Sequence, residues 1–500
     1  MTFNDTVIDS NIVMAATSNA LFSGGVTSTF QFDSPQITDN QFTGTFNSYN
    51  LFDAEVAGNV FTGMVLIGID QSTVEGNTFN STGYYGLGLW GDEYGANVSQ
   101  NSTISNNTFN YNIADNGATY EAGLAFRPGV LVDGISLDNN TFHDGGFSST
   151  LPAQDVLWRG SADGNTLDAA MIAALNGGTE LSVILQGRDG DDTLIGSSLN
   201  DTLDGGNGSD TAQGYDASFH LALDSGHWVV TNGADETDTL LGVERVVIDG
   251  KTYLLVDKLG DGTGGYQSVQ AAIDAANAGD TILVAAGIYP ENLNIDTSGL
   301  TIRNAPGETV IINGQVNGLA GAINVGTGIS VTIESDSPAN LVVNAPSGVG
   351  QAAALYLVGN NDGSSISGVT LHATGGYGLL TGGGQDNVTF TGNVFENATA
   401  GRPLAYVNGA DSLGAGNASS NVSFIDNQFS GSAGGSPLLA SEADGDRQHL
   451  LRLEQLRDPR TVGDRRYGDG QQFYRQHDYR RRPLCSRQHR FLRRGRSGGR

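Results

Sequence analysis

Between Gly187 and Gln213 the chain repeats itself every nine residues, as GRDGDDTLI, GSSLNDTLD and GGNGSDTAQ. Gly187, Gly196 and Gly205 open the copies, Asp192, Asp201 and Asp210 stand sixth, and Leu194, Leu203 and Ala212 stand eighth. So short a period has room for one tight turn and one short strand, so the copies are expected to stack as a parallel β-roll. Glycine permits the turns because, without a Cβ, it reaches positive φ freely. The sixth-position carboxylates are hard oxygen donors, the kind Ca²⁺ gathers six to eight at a time. The eighth-position apolar residues are expected to face a thin core. A flexible Gly/Asp-rich linker has a similar composition, but three copies without slippage argue against it.

The third copy fits G-G-x-G-x-D-x-U-x (U apolar) at every place. Here the chain resembles the repeats-in-toxin (RTX) family of secreted calcium-binding proteins. The resemblance implies Ca²⁺ ligation by Gly187, Asp189, Asp192, Gly196, Asp201, Gly205, Gly206, Asn207, Gly208 and Asp210. It also implies ions shared between turns stacked on one side, hence one or two ions for three repeats. The chain departs from the family pattern where Arg188 and Ser197 replace the second glycine and Leu199 replaces the fourth-position glycine.

Composition agrees with a turn-rich β fold: 72 of the 500 residues are glycine, about twice the usual share. Charge is divided unevenly. Residues 447–500 hold sixteen of the 24 Lys and Arg with five acids, a net +11, while residues 1–446 hold eight basic and 49 acidic residues, a net −41. An acidic body repels nucleic acid and anionic membranes. The single cysteine, Cys485, lies in the basic tail, which excludes a disulfide framework and a cysteine metal site in the body. The start, MTFNDTVIDS, has neither the basic nor the apolar region of a signal peptide. No apolar run reaches membrane-spanning length.

Residues 1–170 carry a second repeat, U-x-x-N-x-F, with asparagines at 11, 40, 59, 77, 107 and 140. About eighteen residues make one rung of a parallel β-helix, and longer intervals are rungs with inserted loops. Asn suits the corners because it tolerates the left-handed conformation, and stacked amides can bond from rung to rung. An antiparallel sandwich with Asn turns is the alternative. The pattern returns at Asn393 and Asn427. The first solenoid begins without a cap, so the chain reads as a piece of a longer tandem protein.

Residues 171–186 read as a connector, and 214–257 as strands capping the end of the 187–213 roll. From 258 to 444 a second solenoid is expected. Ser268 caps a short helix whose face Val269, Ala272, Ile273 and Ala276 seals its first rung. This start resembles the pectin-lyase-like superfamily. The expected fold is therefore all-β: two right-handed parallel β-helices flanking a short RTX roll, with a small helix capping the second. Residues 445–500 abandon every repeat and read as an Arg-rich, frame-shifted tail; a genuine basic tail is the alternative.

Catalytic signals are sparse. Tyr289 and Glu291, with Gln351, Gln385, Asp386 and Arg402, echo pectin methylesterases, but the second aspartate segment is missing, and they read as structural. His227 reads as structural too. GYYGLGLWGDEYG, residues 83–95, offers Tyr84, Tyr85, Trp90 and Tyr94 as sugar-stacking rings beside Asp92 and Glu93; the alternative is that half of these rings are core or corner stacks inside a long rung. Arg127, His143 and Arg159 are nearby neutralisers of a uronate. A lyase or epimerase needs such a neutraliser and a base, so Asp92, Glu93 and Arg127 are the catalytic candidates. The order solenoid plus roll resembles both RTX adhesins and mannuronan C5-epimerases, but the epimerases' Asp-Pro-His motif is missing. The sequence thus points to a secreted or cell-surface calcium-binding adhesin or matrix protein. It would leave the cell by type I secretion, fold on Ca²⁺ outside and contact acidic polysaccharide or a cell-surface glycan. The alternative is a uronate polysaccharide lyase or epimerase.

Overall fold

The structure is a computed structural model describing residues 2–4, 6–14, 31–81, 84–91, 99–113, 121–145, 153–160, 164–233, 235–257, 265–316, 321–347, 352–374, 376–397, 403–408, 419, 421–431, 438–441 and 451–454. It is nearly all β, and its strands stack in parallel.

The first solenoid has three faces. One sheet begins with Thr2–Asn4, Gln31–Asp33, Phe46–Phe52 and Val65–Asp70, and two six-stranded sheets of short strands form the others. Rung stacks on rung in register, because a one-residue slip would turn the apolar set outward. Ile37, Val56, Val74, Ile104 and Leu137 form one inward column. Phe42, Phe61, Phe79, Phe109 and Phe142 form another, with successive ring centroids 4.9–5.2 Å apart and nearly parallel. Each stacked pair adds about 0.5–1.5 kcal/mol to its burial.

The asparagines form a ladder at the corners. The Asn59 backbone N–H donates to Asn77 Oδ1 at 2.9 Å, and its Nδ2 donates to the Ile37 and Ala57 carbonyls at 2.7 and 3.0 Å. Asn11, Asn40, Asn77 and Asn107 pass the same bond from rung to rung. The left-handed conformation, however, belongs to the residue before each ladder asparagine: Ser10, Asp39, Gly58, Gly76, Asn106 and Asn139 have φ between 53° and 65°. That residue turns the chain, which frees the asparagine to point inward and stack.

After Gln154–Arg159 the cross-section shrinks to two faces. The first sheet continues through Val183–Asp189, Thr202–Asn207 and Thr237–Leu241, and a new sheet starts with Thr166–Asp168, Thr193–Ile195 and Thr211–Tyr215. Residues 171–186 are not a simple connector. They hold most of helix α1, Ala169–Leu175, capped by Asp168, and the start of a roll strand. Leu194, Leu203 and Ala212 are fully buried between the two sheets.

The strands after the roll do two things. His220–Asp224 and His227–Thr231 pair antiparallel and end the first sheet. Arg245–Ile248 continues the new sheet, pairs antiparallel with Lys251–Val256, and that strand pairs parallel with Thr281–Val284. The second three-faced solenoid therefore grows directly from the roll's sheet. Helix α2, Val269–Ala275, covers its start: Ser268 accepts from Ala271 N–H, and Val269, Ala272 and Ile273 are buried. Asn393 and Asn427 repeat the ladder. Leu451–Glu454 pairs with Val422–Ile425, and the rest of the Arg-rich tail lies outside the described residues.

Candidate functional site

In the roll, two nonapeptides make one rung of eighteen residues, so the sixth-position aspartates separate onto two sides. Asp192 and Asp210 stack on one side and Asp201 on the other. All three are at most 1% exposed. Each column reaches beyond the repeats. On the first side the Asn165 N–H donates to Asp192 Oδ1 at 2.5 Å, Asp192 N–H to Asp210 Oδ1 at 2.7 Å, and Asp210 N–H to Glu244 Oε2 at 2.8 Å. On the second side Val183 N–H donates to Asp201 Oδ1 at 2.7 Å and Asp201 N–H to Asp238 Oδ1 at 2.8 Å.

One oxygen of each aspartate thus does what Oδ1 does in the asparagine ladder; the other oxygen separates the two sides. Asp201 Oδ2 accepts from Ser197 N–H and Oγ, at 2.5 and 2.9 Å. Asp238 Oδ2 accepts from the Tyr215 hydroxyl at 2.8 Å. Asp192 Oδ2 and Asp210 Oδ2 are buried without a hydrogen-bond partner among the described residues.

Asn165, one rung above, shows what that second atom faces. Its Nδ2 donates to the Gly187 carbonyl at 3.2 Å and to Asp192 Oδ1 at 2.7 Å. Asp192 and Asp210 put an oxygen in the place of that amide. A Cβ on Gly187 would fall within 3 Å of both Asp192 Oδ2 and the Gly205 carbonyl, and one on Gly205 within 3 Å of both Asp210 Oδ2 and the Gly242 carbonyl. Two acceptors therefore flank each bare glycine at two successive levels, and the carboxylate oxygen of each pair has no donor among the described residues. An unpaired buried acceptor costs about 1–3 kcal/mol, and a hard cation between the oxygens removes that cost. These residues fit Ca²⁺ in donor type. Among the described residues no three Asp, Glu, His or Cys side chains converge as a metal cage, so an ion here would rely on one carboxylate per level and on backbone carbonyls.

Burial pushes these carboxyls up. Asp201 rises to about 8, from burial and then the Asp238 charge. Asp210 and Asp238 rise to about 6 and Glu244 to about 7, chiefly by burial, and Asp192 is raised for the same reason.

The other expected ligands lie on the turns. Asp189 is exposed and accepts from Asn207 Nδ2 at 2.8 Å. Gly206 and Gly208 take positive φ, and a Cβ on either would collide with the Arg188 or Gly190 carbonyl. A Cβ on Gly196 would lie 2.9 Å from Asp201 Oδ2 and 3.0 Å from Asp238 Oδ2. Asn165, Asp238 and Glu244 escaped the sequence reading. Asn165-Thr166-Leu167 and Asp238-Thr239-Leu240 echo the Asp-Thr-Leu of 192–194 and 201–203, which was the available signal. Glu244 has no such signal.

The aromatic stretch divides between packed and exposed rings. Tyr85 and Trp90 are each 5% exposed, because they pack on the outer side of the first sheet with Leu66, Ala125 and Leu157. Arg127 lies 4.4 Å over the Trp90 ring and donates to the Tyr85 hydroxyl at 3.2 Å. Tyr84 is exposed, and Asp92, Glu93 and Tyr94 lie outside the described residues. His143 is exposed on strand Thr141–Asp144, and Arg159 donates to Gln186 Oε1 at 2.5 Å. Tyr289 is buried and donates to the Ala285 carbonyl, while the Glu291 carboxylate accepts the Val269 and Gln270 N–H groups at the start of α2. Gln385 is buried against Asn361, and Asp386 N–H donates to Asp362. His227 begins an antiparallel strand, and Gln351 and Arg402 lie outside the described residues.

Among the described residues no helix is long and apolar enough to cross a membrane. No protein-family model matches the chain, and no curated protein does. Among solved structures, a PL6 family alginate lyase, an AlyGC mutant, aligns over 91% of this chain and 96% of its own, at 9% identity and a TM-score of 0.16.

Proposed function

We propose that the chain is a calcium-dependent, extracellular β-solenoid of the RTX type, whose roll is completed by Ca²⁺ on the Asp192–Asp210 side. The observation that carries this reading is the pair of buried, partnerless oxygens, Asp192 Oδ2 and Asp210 Oδ2, in positions where Asn165 holds a donor. The second side has its own donors in Ser197 and Tyr215, so calcium dependence belongs to the first side.

When bound, calcium would supply the positive charge that the facing oxygens lack. Where calcium is scarce, burying these carboxyls opposes closure of the roll and keeps the chain open for export. Outside the cell, an ion that binds only the folded state stabilises it by about 2.7 kcal/mol at a hundredfold excess over Kd. The role that follows is structural, as in an adhesin or matrix component, with acidic polysaccharide as the contacted class. Arg127, the neutraliser in the alternative lyase or epimerase reading, is engaged by Trp90 and Tyr85.

The test is thermal unfolding of the full chain in calcium and in EDTA, with the Asp192→Asn/Asp210→Asn double variant. Wild type should melt higher in calcium. The double variant should melt above wild type in EDTA, by about 1–3 kcal/mol per restored donor, and should ignore calcium. A wild-type melting point that calcium leaves unchanged overturns the reading.

A further inference from the structure

A cavity of about 310 Å³ opens on the second side of the roll. Ala169, Ala170 and Ala173 of α1 form one wall, and Tyr215 and Phe219, with ring centroids 5.1 Å apart, form another. Ser197, Ser198, Glu180 and Glu236 supply its polar lining. Ser198 Oγ donates to Glu180, and Ser197 and Tyr215 turn their hydrogens to Asp201 and Asp238 behind the lining.

Glu236 is the exception. It is 8% exposed and lines the cavity, and among the described residues no hydrogen bond or ion pair reaches its carboxylate. Its charged neighbours are Asp238, Glu180 and Asp216, all acids; burial first, and then these, raise its carboxyl to about 7. A buried carboxylate among like charges is costly until a cation pairs with it.

We propose that this cavity binds an organic cation, an ammonium or guanidinium head on a short apolar stem, with Glu236 as its counter-ion. The shape selects against a bare metal ion. The alanine wall and the Phe219 ring offer no oxygen to an ion that seeks six to eight, and the cavity is about ten times the share of one liquid water. An alkyl stem fits the alanines, and the head can meet both the carboxylates and the ring faces. The site is separate from the Asp192–Asp210 column and does not rest on the calcium reading.

The experiment is calorimetric titration of the full chain in calcium-containing buffer. Cadaverine stands for a free diamine, N-acetyl-lysine-N-methylamide for a protein side chain, and N-acetyl-norleucine-N-methylamide for the same stem without charge. Wild type should bind at least one cation and ignore the norleucine compound; whichever cation binds tighter assigns the source. Glu236→Gln should weaken binding at least tenfold. Ala173→Leu, which fills the alanine side and leaves every charge in place, should abolish it. Ala173→Leu should melt like wild type, and Glu236→Gln, which removes the uncompensated charge, at or above it. Equal affinity in wild type and Glu236→Gln, equal binding of the norleucine compound, or no binding of either cation to the folded wild type overturns the proposal.

Discussion

The asparagine ladder of the first solenoid and the aspartate column of the roll are the same device with one atom changed. In both, a side-chain oxygen accepts the backbone N–H of the rung before it, Asn59 to Asn77 at 2.9 Å and Asp192 to Asp210 at 2.7 Å. In the ladder the second side-chain atom is an NH₂ that closes the account with carbonyls: Asn77 Nδ2 donates to Val56 O at 2.8 Å and to Asn107 Oδ1 at 3.0 Å. In the column it is an oxygen facing glycine carbonyls, without a partner. The ladder is complete as a polypeptide. The column is complete only with a proton or a cation, so one exchange of NH₂ for O separates unconditional from conditional stability.

Moving the column's chemistry into the ladder should have the largest effect. Asn77→Asp sets an oxygen against two acceptors at a site 1% exposed, and should cost about 3 kcal/mol or more at pH 8. Part of that loss should return at pH 5, where the new carboxyl is protonated. Urea unfolding at the two pH values measures both; an unchanged midpoint at pH 8 would break the comparison.

Next comes the pH profile of the calcium-free chain. Asp201, Asp210, Asp238 and Glu244 are raised in the folded state, to between about 6 and about 8, above the ordinary carboxylate value near 4. Between these limits the folded state binds more protons than the unfolded state, so stability falls as pH rises. Melting points in EDTA should therefore drop from pH 5 to pH 8.5, and calcium should flatten the upper part of the profile. A melting point that climbs across that range contradicts the burial of these groups.

Ser197→Gly sharpens the contrast between the roll's two sides. It removes the hydroxyl that serves Asp201 Oδ2 and should cost about 1 kcal/mol in EDTA. The Ser197 N–H still serves that oxygen, so calcium should restore only part of the loss. A loss that calcium does not touch would show that the two sides differ by more than their donors. The smallest expected effect is at Arg188, which takes φ +91° at a position where glycine is the repeat's residue. Arg188→Gly should stabilise the calcium-free roll by about 1 kcal/mol, read from the same melting curves.

Much of the architecture was legible in the sequence because it is written in short periods. The Asn and Phe columns follow from U-x-x-N-x-F, the thin core from Leu194, Leu203 and Ala212, and α2 from Ser268 and its apolar face. The same short motif recurs in every rung, so each residue's column can be read locally even though its partner lies 18 to 33 residues away. The site was legible only in part. Asp192, Asp201 and Asp210 look equivalent in the sequence, and the structure divides them. Ser197 reads as a lost glycine and proves to be the donor that satisfies Asp201. The stretch around Tyr85 and Trp90 left a sugar platform and packed rings both open, and packing against Leu66 and Leu157 buries these two.

The sequence alone determined that the chain coils into rungs, which residues face the core, and that acidic side chains recur where the roll turns. Only the tertiary structure decided which of those acids lack a partner. Rung length is the reason. Asn165, Asp192, Asp210 and Glu244 share a column across separations of 27, 18 and 34 residues, and Asp201 meets Asp238 across 37. Inserted loops and a hairpin vary those intervals, and the match between a carboxylate and its donor forms only once the rungs have closed.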